Sequence, residues 1–195
     1  MKICLASNNP NKLREIRHSL GPSFEVLSLK DIGHDGDLPE HQKTLEGNSL
    51  EKAEFIYKNY GLDCISDDTG LEVVALDGEP GVYSSRYAGP SCSSKDNMEL
   101  LLKNLEDKDD RRAQFRTIIT LIRKGRTRQF EGIVQGSIIK EGRGVEGFGY
   151  DPIFVPKGYD VSFAEMSFEE KNKISHRGQA INKLTNFLQK KVKHQ

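Results

Sequence analysis

Four short stretches of this 195-residue chain carry residue types that could do chemistry together. The first is Ser66-Asp67-Asp68-Thr69-Gly70-Leu71, where two adjacent carboxylates stand between apolar runs. Neighbouring side chains on an extended chain point to opposite faces, so Asp67 and Asp68 are expected to do different jobs. One can reach a ligand while the other holds the local backbone. A carboxylate pinned at a strand end suits a hard cation and can take a proton from water. The apolar run through Ile65 is read as breaking open into a turn here, with Gly70 giving the turn its conformational freedom. An ordinary charged turn uses the same residues, and the stretch by itself does not separate the two readings.

The second stretch, Ser7-Asn8-Asn9-Pro10-Asn11-Lys12, lies between an apolar strand pattern and a helical one. Backbone N–H groups at a helix start and the Lys12 ammonium would meet an anion, with Ser7 and Asn9 adding side-chain hydrogen bonds. It lacks the glycines of a P-loop, and Asn-Pro-Asn is also plain helix-capping chemistry. The third, Glu146-Gly147-Phe148-Gly149-Tyr150-Asp151-Pro152, sets Phe148 between two glycines. Phe148 or Tyr150 could face a flat base, or both could fold into the core. The fourth, Ser175-His176-Arg177-Gly178, puts cations at a helix start, where the dipole prefers anions. A negatively charged or carbonyl-bearing group beside them would remove that conflict. Further carboxylates, Asp35, Asp37, Glu40 and Glu46, read as solvated charges one by one. Glu40 gains interest only if its loop folds towards Asp68.

The elements that must position these residues follow from hydrophobic periodicity. Residues 2–6 read as a strand, followed by a helix carrying Leu13, Ile16 and Leu20. Residues 24–29 read as a second strand, and residues 30–43 as a long polar loop of the kind that is functional or disordered. Thr44 opens a helix with an imperfect stripe of Leu50, Ala53, Phe55, Ile56 and Tyr60, closed by Gly61. After the paired aspartates, residues 72–76 read as a strand. A loop over residues 77–91 carries Tyr83, Arg86 and Tyr87, which suit a subunit contact, the rim of a cleft or a packed connector. Ser93-Ser94 caps a helix with Met98, Leu101, Leu102 and Leu105. Residues 113–122 and 127–139 form two long strands joined at Lys124-Gly125, with Arg116, Arg123, Arg126 and Arg128 on a solvated face. Residues 153–155 give a last strand. The C-terminal segment is helical, with Ala180, Ile181, Leu184, Phe187, Leu188 and Val192 in a stripe.

Bulk properties bound the function. Lys plus Arg and Asp plus Glu both number 29, so no overall field favours nucleic acid or an anionic membrane. No apolar run approaches the roughly 20 residues that span a bilayer. The first residues are too soon interrupted by Asn and Pro for a signal peptide. Cys4, Cys64 and Cys92 are odd in number and have no zinc-type spacing, as expected for reduced thiols of a cytoplasmic protein.

In order along essentially the whole chain, Ser7-x-Asn9-x-x-Lys12, Asp67-Asp68-Thr69-Gly70-Leu71, Phe148-Gly149-Tyr150-Asp151-Pro152 and Ser175-His176-Arg177-Gly178 resemble the Ham1/inosine triphosphatase family of noncanonical purine nucleoside-triphosphate pyrophosphatases. The resemblance implies an α/β fold: a long twisted mixed sheet flanked by helices, in one two-lobed domain over residues 1–195 with a central nucleotide cleft. It implies hydrolysis of ITP, dITP and XTP to the monophosphate and pyrophosphate with Mg2+, in a cytoplasmic homodimer without nucleic-acid or membrane partners. By the same resemblance Asp68 is the proton acceptor and a magnesium ligand, with Glu40 as second metal carboxylate and Glu46 its competitor. Ser7, Asn8, Asn9, Pro10, Asn11 and Lys12 bind phosphate, and Thr69 contacts the substrate. Phe148, Gly149, Tyr150 and Asp151 form a wall for the base. Lys171 reaches the nucleotide, and His176 and Arg177 read its 6-oxo edge. The related Maf-like pyrophosphatases are a second enzyme reading, against which the third and fourth stretches argue. A nucleotide sensor without turnover is a third, against which Lys12, Glu40 and Asp68 together argue.

Overall fold

The computed structural model describes residues 1–90 and 93–192; Cys92, the last residue of the 77–91 loop and residues 193–195 lie outside the described residues. The chain divides into two compact units. The first comprises Met1–Asp68, Thr117–Gly132 and the chain from Arg177 on, and the second Thr69–Arg116 and Ile133–His176. One mixed sheet of seven strands runs in the order β2 (Glu25–Leu27), β1 (Lys2–Ala6), β3 (Cys64–Val73), β5 (Arg112–Arg123), β6 (Arg126–Ile138) and β7 (Phe154–Pro156), with the short β4 (Pro80–Gly81) paired to β3. β1 is parallel to β2 and to β3, whereas β4 and β7 are antiparallel to their neighbours.

In the first unit the pleat sorts β1 by alternation. Ile3 and Leu5 pack with Ile16 and Leu20 of α1 (Pro10–Leu20) and with Ala180, Ile181, Leu184 and Leu188 of α5 (His176–Val192). Cys4 and Ala6 go to the other face, against Ala53 and Ile56 of α2 (Leu45–Tyr60). With both faces covered, β1 is apolar at every position but its first, as a central parallel strand must be. The helical stripe on α2 looked imperfect because its buried face includes Asn48, Ser49 and Lys52. The second unit packs α3 (Ser94–Asn104) and the ends of β3, β5 and β6 around Phe115, Phe154 and Phe163. Its α4 (Phe168–Ile174) opens on a capping box made by Ser167 and Glu170. Among the described residues no helix is long and apolar enough to cross a membrane.

Four expectations need correction. The chain does not break into a turn at Asp67-Asp68: β3 runs unbroken through both, and Gly70 is a strand glycine. A Cβ on Gly70 would stand 2.6 Å from the carbonyl oxygen of Gly81 in β4, so close backbone approach demands glycine there. The strand expected over residues 72–76 ends at Val73, and Val74–Leu76 forms a 3-10 turn closed by Asp77 at φ 51°. The second strand is only Glu25–Leu27, since residues 30–32 already coil into a 3-10 turn. On β5 and β6 three of the arginines are not simply solvated: Arg116 lies 3.8 Å from Glu72, Arg123 3.8 Å from Asp63, and the Arg128 guanidinium 4.8 Å from the centre of the Phe187 ring. The hairpin at Lys124-Gly125 has positive φ at both central residues, the mark of its turn type, and Asp63 Oδ1 accepts from the Lys124 N–H.

Candidate functional site

Two side-chain clusters, one in each unit, gather nearly all the residues singled out in the sequence. The first unit holds the charged one. Asn9 caps α1, its Oδ1 accepting from the N–H groups of Asn11 at 2.9 Å and Lys12 at 3.3 Å. Ser7 Oγ accepts from the Asn9 N–H at 3.1 Å, Asn8 donates to the Gly36 carbonyl, and Pro10 opens the helix. The capping chemistry is therefore present, and it delivers Lys12: its ammonium lies 2.9 Å from Asp67 Oδ1. Asp67 is fully buried and also accepts from Arg177 Nε at 3.0 Å. Arg177 NH1 in turn donates to Glu15 Oε2 at 2.7 Å, from the buried side of α1. The carboxylates of Asp67 and Glu15 resolve the misfit of a cation at the start of α5.

On the opposite side of β3 the next carboxylate has different company, as alternation requires. Lys52 of α2 donates to Asp68 Oδ1 at 3.0 Å, to the Asp67 carbonyl at 2.9 Å and to Glu40 Oε1 at 2.6 Å. The 30–43 loop thus folds so that one lysine joins Glu40 to Asp68, whereas Glu46 stands in the first turn of α2. Asp68 Oδ2 is buried without a hydrogen-bond partner. A buried acceptor left open costs free energy unless a ligand completes it.

Burial raises the Asp68 carboxyl above its ordinary value despite the pull of Lys52 and Lys12. Burial acts the same way on Asp67, but Lys12, Arg177 and Lys52 overcome it and hold that carboxyl far below the usual range. The two aspartates are thereby separated into a fixed anion and a carboxylate with greater appetite for a proton or cation. Burial also lowers the Lys12 ammonium, whereas for Lys52 the carboxylates of Asp68 and Glu40 outweigh burial and raise it. A divalent cation would fit here on the donor set: Asp68 offers an uncommitted oxygen and Glu40 a half-exposed carboxylate. Among the described residues no group of three or more His, Cys, Asp or Glu side chains could hold a metal ion. Two carboxylates would leave the rest of a hard cation's coordination to water or a bound ligand.

The second unit holds the aromatic cluster. The Phe148 ring is half exposed, with the Lys171 ammonium 4.8 Å from its centre. Lys171 pairs with Asp151 Oδ2 at 2.5 Å, and the same oxygen accepts from the Phe148 N–H at 2.7 Å. The turn is thus clamped from both sides, with Gly149 at φ 64°. Tyr150 is buried and donates through its hydroxyl to the Ser84 carbonyl at 2.8 Å, so its ring serves the core. His176 is buried and stacked on Phe115, ring centres 4.7 Å apart and planes 15° apart. Thr69 is half buried on β3, the first residue of this unit.

Sequence reasoning overlooked Glu15 and Lys52. Each left one signal: a charged residue on the apolar face of a helix, Glu15 beside Ile16 and Lys52 beside Ala53 and one turn before Ile56.

Fold and site together define a mixed α/β protein with two adjacent buried aspartates, one held by Lys12 and Arg177 and the other with one oxygen left open. Residues 3–187 match the Ham1 family. A protein of Flavobacterium psychrophilum named dITP/XTP pyrophosphatase is 50% identical over 188 residues, covering 96% of this chain and 99% of the relative. One of Christiangramia forsetii with the same name is 49% identical over 190 residues, covering 97% and 100%. The solved structure of the Staphylococcus aureus Ham1 protein has a TM-score of 0.91 at 41% identity, covering 98% of this chain and all of that one. A HAM1 protein from Coxiella burnetii gives 0.91 at 36% identity, with 97% and 99% covered. The chain belongs to the Ham1 family.

Proposed function

We propose that this protein hydrolyses the triphosphates of purines with a 6-oxo base, ITP, dITP and XTP, to the monophosphate and pyrophosphate. The observation that carries the chemistry is Asp68, a buried carboxylate with one oxygen held by Lys52 and the other open. The names of its relatives support the choice of substrate. Asp68 and Glu40 would hold Mg2+, which when bound offsets the charge that builds up on the phosphate oxygens. Asp68 orients the attacking water and takes its proton. Lys12, aimed by Asp67, meets the phosphates beside the Ser7–Lys12 turn and offsets charge on the departing pyrophosphate. Water adds across the anhydride link, so the products are one monophosphate and one pyrophosphate.

The aromatic cluster takes the base. Phe148 packs on its face, with Gly149, Tyr150 and Asp151 shaping the turn, Thr69 touching the substrate and Lys171 reaching the nucleotide. His176 and Arg177 read the 6-oxo edge, Arg177 with its guanidinium oriented by Asp67 and Glu15. A site built on hydrogen bonds to a carbonyl rejects the amino group of adenine more strongly than shape can. The protein would work in the cytoplasm as a homodimer, its 195 residues forming one catalytic domain that clears such nucleotides from the precursor pool. Phosphorus NMR of the dITP reaction tests the chemistry: pyrophosphate with dIMP is expected, whereas orthophosphate with dIDP would overturn it.

A further inference from the structure

The Lys52 ammonium has three N–H donors, and each is used: on Glu40 Oε1, on the Asp67 carbonyl and on Asp68 Oδ1. Its side chain is 5% exposed, so water does little of the solvating. It therefore holds one oxygen of each carboxylate that the proposed function assigns to the metal. Glu40, Asp68 and Lys52 together carry one net negative charge. A divalent cation arriving alone would meet that small charge and a buried ammonium bonded to both of its ligands, and like charges at such range repel strongly out of water. A triphosphate brings the anionic charge that the protein does not provide.

We propose, resting on the reading of Asp68 and Glu40 as metal ligands, that Lys52 stands in for the metal's charge in the free protein. It keeps the two carboxylates together, holds affinity for free divalent metal low, and so makes the metal enter together with a triphosphate. Metal and triphosphate then strengthen each other's binding by the same factor, as linkage requires.

The test needs no turnover. Mn2+ is titrated into metal-free protein without nucleotide, free Mn2+ being read by electron paramagnetic resonance, for wild type, Lys52→Met and Lys52→Met/Asp68→Asn. Lys52→Met is expected to bind Mn2+ at least about tenfold more tightly than wild type, a change of about 1.4 kcal/mol. The double variant is expected to lose that gain. Equal or weaker binding by Lys52→Met, or a gain that survives Asp68→Asn, would overturn the proposal. Wild-type melting provides a measurement independent of whether the variants fold. Mg2+ with inorganic tripolyphosphate should raise the melting temperature by more than the separate effects combined. Mg2+ alone raising it as far as the pair does would overturn the proposal. A failed function is distinguishable: tight metal binding by Lys52→Met beside no pyrophosphate release from dITP or XTP by wild type would keep this inference and remove that one.

Discussion

Asp67 and Arg177 lie 110 residues apart in sequence, yet Arg177 Nε donates to Asp67 Oδ2 at 3.0 Å with both side chains buried. With Lys12 on the other Asp67 oxygen and Glu15 on the far side of Arg177, they form an alternating row of two cations and two anions, all buried but the half-buried Lys12. Each charge in such a row depends on its neighbours, because one left alone out of water is costly.

Removing one member is therefore expected to cost more than any surface pair would. Asp67→Asn and Glu15→Gln should each lose about 3–5 kcal/mol in urea unfolding, as for a buried pair broken on one side. Losses below about 1 kcal/mol, the range of exposed pairs, would contradict the row as drawn.

Asp68 should behave in the opposite way. Its burial disfavours the charged form and one oxygen has no hydrogen-bond partner. Asp68→Asn is expected to melt at or above the wild-type temperature while pyrophosphate release falls by about 10²- to 10⁴-fold, the usual range for a lost general base. Near-normal turnover would take Asp68 out of the mechanism.

Gly70→Ala is expected to destabilise the second unit without touching a charged group. The added methyl would meet the Gly81 carbonyl, 2.6 Å away, and overpacking of that kind costs about 1–3 kcal/mol. A urea midpoint equal to wild type would show that β4 yields at little cost.

Stability should fall on the alkaline side through Cys4 and Cys64. Burial pushes both thiols up to about 12, and an unfolded thiol titrates near about 8.5. Between those values the native chain holds more protons than the unfolded one, so the stabilisation is full below the unfolded value and lost as pH rises. The loss is about 1.4 kcal/mol per pH unit for each thiol. Cys64→Ala should halve that part of the slope between pH 9 and about 11 in a urea series. An unchanged slope would mean that the thiols do not carry it.

Much of the fold was legible because it rests on local pattern. β1, α1, α2 and the β5–β6 hairpin stand where periodicity, Asn9, Thr44 and Lys124-Gly125 put them. The Asp67-Asp68 stretch misled for a physical reason. Asp and Gly favour turns locally, and only tertiary partners keep a strand through them: Lys12, Arg177 and Lys52 for the charges, Gly81 for the glycine. The different company of Asp67 and Asp68 did follow from alternation. Glu40 was named through the resemblance alone, because a long polar loop has no periodicity from which to place it. Its position became visible only through Lys52, itself hidden within a helical stripe.

The most direct measurement is initial-rate pyrophosphate release with Mg2+ from ITP, XTP, dITP, ATP, GTP and the pyrimidine triphosphates at equal concentration. Rates on ITP, XTP and dITP at least about 100-fold above ATP are expected, the discrimination available to a site that hydrogen-bonds a carbonyl. Equal rates on ATP, or no release from any of the three, would contradict the account.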